Sequence, residues 1–209
     1  MASLAFASAC GGDERKEASL TFDRYFASFS FDYEPAKDRS ELAARSTLVV
    51  EATLVDVVDG PVFGESADDP FASRFALFVF HSDLVSVPIE VVFPRPSRVD
   101  GNTLQIAAIR NAMPLGVRAV LYLAPFPYVP LSVGEQKLWF GIDQGPMWQV
   151  TTPQGFILEN PLDEGLDTER STILPLAAEG GLSDAPSIGA DVTAWLPPGG
   201  PVVPPELRS

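Results

Sequence analysis

The chain has 209 residues, 46% of them hydrophobic, and its 28 acidic against 14 basic side chains give a net charge of −14. Length and apolar content suit one ordinary folded domain with flanking segments and exclude a disordered polyelectrolyte. The negative field repels phosphate backbones and anionic headgroups, which excludes nucleic acid as a partner and leaves only a covalent or hydrophobic route to a membrane.

The first element is a short run of small and apolar residues, MASLAFASA, ending at Cys10, the sole cysteine. One cysteine rules out an internal disulfide, so packing alone must hold the fold. Ala7-Ser8-Ala9-Cys10 has the small side chains that a lipoprotein signal peptidase requires before its cut, and Gly11-Gly12 follow. The reading is a shortened lipoprotein signal over residues 1–10, with Cys10 as the acylated residue. Nine residues, none charged, precede Cys10. A complete signal needs a basic start and a longer apolar stretch, so the reading places the natural start upstream of Met1. No apolar run approaches the roughly 20 residues that cross a bilayer as a helix.

Residues 11–34 form a tether or edge segment, where Phe29, Phe31 and Tyr33 alternate with polar residues at a strand period. A short helix follows, with Pro35 in its first turn and residues 42–46 completing it. The clearest strand spans residues 46–58, STLVVEATLVDVV. It places Leu48, Val50, Ala52 and Leu54 on one face, and its length predicts a bent strand that serves two sheets or runs around a barrel. Asp59-Gly60-Pro61 is expected to end it as a turn.

Further strands are expected over residues 75–85, 89–93 and 117–124, with a weaker one at 104–109. Residues 137–143 and 147–152 read as a hairpin about Gln144-Gly145-Pro146, and 153–155 as a turn into a strand at 156–159. The expected fold class is mainly β: a single antiparallel barrel or sandwich-like meander over residues 35–160. Residues 161–209 read as an acidic loop and an irregular Pro/Gly-rich tail, draped on the body through Trp195.

The ACGG start, the LVVEATLVDV strand with Pro61-Val62-Phe63-Gly64 behind it, the MPLGVRAVLYL strand and the PQGFILE segment together resemble a group of uncharacterised actinobacterial-type lipoproteins. The resemblance covers roughly residues 40–160 and the cysteine. It implies a small barrel akin to the oligonucleotide/oligosaccharide-binding (OB) fold. It implies no catalytic residues.

The candidate chemistry is sparse. His81-Ser82-Asp83 contains the only histidine, but neighbours on a strand point to opposite faces, so the plain reading is a polar strand end. A histidine/cysteine zinc site is excluded because Cys10 and His81 are the only such ligands. Glu159, Asp163, Glu164, Asp167 and Glu169 offer hard oxygen ligands for Ca²⁺ without an EF-hand spacing, so the plain reading is a solvated turn. Glu65, Asp68 and Asp69 are a weaker cluster. Glu51, alone among apolar strand residues, becomes a site candidate if buried.

Tyr122, Trp139 and Trp148 could stack on a sugar, though strand aromatics are ordinarily core. The expectation is therefore a non-enzymatic, lipid-anchored envelope module without a cofactor, bound to the membrane through its lipid and meeting an envelope protein or wall component. An envelope hydrolase using paired carboxylates and a calcium-dependent binding module are the alternatives.

Overall fold

The structure, a computed structural model, describes residues 25–26, 33–66, 68, 72–96, 104–127, 138–140, 146–159, 172–173, 182–187 and 190–209. The shortened signal with Cys10, most of the segment 11–34 and the acids Asp163 to Glu169 lie outside the described residues. Among the described residues no helix is long and apolar enough to cross a membrane.

The fold is mainly β. Helix α1 (Arg39–Ala44) opens the body. Its N-cap Asp38 accepts from the Glu41 N–H, and Glu41 in turn accepts from the Lys37 N–H at 2.8 Å. The first acceptor satisfies one of the N–H groups that a helix start leaves open, and the second holds the residue just ahead of the cap. Pro35 lies ahead of the helix rather than in its first turn.

Strand β1 (Leu48–Gly64) runs past the expected turn at residues 59–61. Its first part pairs antiparallel with β4 (Arg118–Pro125), from Leu48↔Leu123 to Thr53↔Arg118. From Thr53 onward it pairs with β2 (Ser73–His81). One bent strand therefore belongs to two neighbours, as its length predicts. The ladder shifts register between Leu54 and Asp56 and again between Asp59 and Val62. Such bulges bend a strand and tolerate the missing N–H of Pro61. A Cβ on Gly60 would sit 3.0 Å from the Phe75 carbonyl group, so the turn-like sequence Asp-Gly-Pro serves a close strand crossing instead.

Strand β3 (Ile89–Pro94) continues antiparallel from β2. Residues 104–109, expected as a weak strand, belong instead to helix α2 (Ile106–Ala112). Ile106, Ile109 and Met113 recur at helical spacing, and Ile109 is fully buried.

Strand β5 (Leu138–Phe140) pairs with the far end of β1, through Phe63↔Trp139, and not with β6 (Met147–Val150). Among the described residues the two strands expected to form a hairpin over 137–152 therefore do not pair with each other. Strand β6 instead lies parallel to β3 and antiparallel to β4. A 3-10 turn at Pro153–Gly155 leads into β7 (Phe156–Glu159), which pairs with β4, and β8 (Thr172–Ile173) pairs with β7.

The pairings β1–β2–β3–β6–β4–β1 return to their start, so five strands form a ring. It is a mixed sheet, not the simple antiparallel meander expected, because β3 and β6 run parallel.

Side chains alternate across the ring. Leu48, Val50, Ala52, Leu54, Phe78, Phe80, Val91, Phe93, Leu121, Trp148 and Phe156 share one core cluster. Tyr25 and Phe26, from the N-terminal segment, join it. The opposite face of β1, β4 and β7 carries a second cluster, with Val49, Val120, Tyr122 and Ile157 packed against Leu42, Leu182, Val192 and Trp195. A third, smaller cluster of Leu77, Val92 and Met147 adjoins Phe75 and Phe126.

The C-terminal segment is part of this packing. Val202 forms a bridge with Val49, its N–H and carbonyl each in a 2.8 Å bond, and Ser86 N–H donates to Leu207 O at 2.9 Å.

Candidate functional site

Among the described residues the densest charged group lies on the face of β1, β4 and β7 opposite the ring core. Strand alternation places Glu51 two residues after Val49 on β1, Arg118 two before Val120 on β4, and Glu159 two after Ile157 on β7. Arg118 Nε donates to Glu51 Oε1 at 2.8 Å. Its Nη1 and Nη2 donate to Asp191 Oδ2 and Oδ1 at 3.0 and 3.2 Å. Glu159 Oε1 stands 3.8 Å from Nη1, with that carboxylate almost wholly buried.

One guanidinium thus faces three carboxylates. The bidentate pair with Arg118 holds the Asp191 carboxyl well below the usual range, and the Thr193 hydroxyl and amide add to that. The Arg118 guanidinium is raised further by its bond to Asp191 and by Glu51, against the cost of burial. These contacts join the chain around Asp191 to the sheet. The arrangement supplies a charge-assisted bidentate pair with a second carboxylate on the same guanidinium.

The sequence candidates are dispersed. Glu51 is partly exposed beside Arg118 rather than isolated among apolar groups. His81 ends β2 opposite Thr53, with two thirds of its side chain in solvent. Its Nε2 is 3.8 Å from Asp83 Oδ1. Ser82 is buried, and its Oγ accepts from the Leu84 N–H at 3.3 Å. Glu65 and Asp68 are exposed after β1, and Asp69 lies outside the described residues.

Tyr122 and Trp148 are both buried and belong to different clusters, Tyr122 on the outer face and Trp148 in the ring core. They share no stacking surface. Burial pushes the Tyr122 phenol well above its usual range, and its hydroxyl donates to Trp195 O at 2.6 Å. For Trp139 the backbone pairing with Phe63 is described, but not the side chain. Among the described residues no group of three or more His, Cys, Asp or Glu is arranged to hold a metal ion.

The Arg118 group has one local signal in the sequence: an arginine inside the apolar run VRAVLYLA wants an acid on an adjoining strand, and Glu51 sits in one. Asp191 has no such signal, because the tail joins by a long-range contact.

Large apolar side chains left exposed include Val55 and Val58 on β1, Leu84 and Val87 between β2 and β3, and Leu115 before β4. Comparison of the chain with protein-family models, with curated proteins and with solved structures finds no match.

Proposed function

We propose that the chain is a lipid-anchored, non-enzymatic binding module of the cell envelope, and that its ring of strands is a small OB-like barrel. The observation that carries the anchoring is the sole cysteine directly behind Ala7-Ser8-Ala9 and before Gly11-Gly12. An acyl chain is the attachment open to a body of net charge −14, since anionic lipid repels it. Supporting the barrel are the cyclic pairing of five strands, the parallel β3–β6 pair, and the placing of α2 between β3 and β4. Five-stranded barrels of this kind serve as binding platforms. The same charge disfavours polyanions and directs the module toward a protein or wall component of the envelope. The resemblance to actinobacterial-type lipoproteins points the same way.

Val55 and Val58, exposed beside the first bulge of β1, are the contact residues the reading favours. The test is fractionation and photo-crosslinking in cells that make the protein from its natural start. The expected result is a membrane-bound protein that crosslinks to an envelope component from Val58 and not from Glu206 on the tail. A protein free in the soluble fraction, or crosslinks indifferent to position, overturns the reading.

A further inference from the structure

We infer that Tyr25 and Phe26 clamp the N-terminal chain inside the ring and so set how far the body can stand from an acylated Cys10, an inference that rests on the anchoring proposed above. Tyr25 is fully buried and Phe26 nearly so. Tyr25 stacks on Phe78 at 5.7 Å between centroids. Phe26 meets Phe93 edge-on at 5.7 Å and lies 5.4 Å from Phe156. The Tyr25 hydroxyl donates to Pro94 O at 3.0 Å, which satisfies the polar end of that side chain. Withdrawing the pair would expose two aromatic rings and leave a cavity among phenylalanines, so the clamp holds against ordinary fluctuation.

A second fixed point follows at Ala36. Its N–H donates to Gln154 Oε1 at 2.7 Å and its carbonyl accepts from Gln154 Nε2 at 3.3 Å, all of it buried. Fourteen residues lie between Cys10 and Tyr25, which makes fifteen Cα-to-Cα steps. At the full extension of a chain they reach no more than about 50 Å, whatever shape they take. Were Ala36 the first fixed point, the limit would be about 90 Å. The clamp therefore confines the module to the layer next to the bilayer, and its partner must present its surface there.

Cys10 is the only thiol, so the purified chain can be coupled to a maleimide lipid in a supported bilayer whether or not cells acylate it. Neutron reflectometry then reads the spacing between bilayer and protein. A Gly/Ser segment of about twelve residues is inserted either after Gly12 or after Ser30. Insertion after Gly12 is expected to raise the spacing, with up to about 40 Å of added reach. Insertion after Ser30 falls between the two fixed points and is expected to leave the spacing unchanged. Equal increases from both insertions overturn the clamp. So does an unmodified chain standing beyond about 50 Å. No increase from either variant also overturns it, since the body would then lie on the bilayer regardless of reach. A failure of acylation in cells would remove the anchor without altering these spacings, so the two failures are told apart.

Discussion

Arg118 and Asp191 lie 73 residues apart in the chain and meet through two hydrogen bonds, 3.0 and 3.2 Å long. The pair joins a strand of the ring to the C-terminal segment, and Arg39 repeats the device with Asp184 at 2.9 Å. Arg39 also donates to the carbonyls of Ala194 and Leu196. Two arginines thus hold the chain that covers Val49, Val120, Tyr122 and Ile157.

Replacing Arg118 with Met removes the guanidinium that Glu51, Glu159 and Asp191 share. The expected loss is about 1–3 kcal/mol, below that of a fully buried pair because the group is one third exposed. Urea unfolding measures it. Asp191→Asn should cost less, since Arg118 keeps Glu51.

Stability should fall on acidification, beginning near pH 4. The carboxyls of Asp191 and Asp184 sit below their ordinary value in the folded chain. For Asp191 the bond to Arg118 is the largest cause. For Asp184 burial is the largest single effect and opposes the shift, but the bonds from Arg39 together outweigh it. The unfolded chain therefore takes up these protons first. The stabilisation is complete above the ordinary aspartate pKa and is lost as pH falls toward the depressed folded values. Melting temperature followed from pH 7 to pH 2 should show this slope, and Asp191→Asn should flatten it.

Gly155→Ala should destabilise the protein by about 1–3 kcal/mol, because the added Cβ would lie 2.8 Å from Tyr122 Cβ. Tyr122→Phe removes the hydroxyl that donates to Trp195 O in a buried setting and should cost about 1–2 kcal/mol. If the two substitutions act on the same contact between the 153–155 turn, Tyr122 and the tail, their combined loss will be less than additive in a double-mutant cycle.

Phe26→Ala should cost about 3–5 kcal/mol, the range for a buried aromatic truncated in a packed core. A body beginning at residue 33 should be less stable than one beginning at residue 13, by thermal melting, because it lacks both Tyr25 and Phe26.

Much of the ring was legible because its signal is local. Alternation in LVVEATLV puts Leu48, Val50, Ala52 and Leu54 on one face, and all four lie in the ring core. The strand at residues 156–159 follows its Pro-Gln-Gly turn as expected. What failed was partnership. Nothing local tells that β6 pairs parallel with β3, because that pairing joins Glu90 to Met147 across 57 positions.

Residues 104–109 show the same limit: Leu104-Gln105-Ile106 alternates like a strand, whereas the decisive spacing is the helical one from Ile106 to Ile109. The aromatic candidates failed for a related reason. Tyr122 and Trp148 belong to strands that contribute to both faces, and which face each ring takes depends on a register that only the assembled sheet sets.

The most direct test of the central proposal is incorporation of a clickable fatty acid into the protein made in cells from its natural start. The proposal predicts a labelled protein whose label disappears when Cys10 is replaced by Ser. An unlabelled wild-type chain, or label that survives Cys10→Ser, would contradict it.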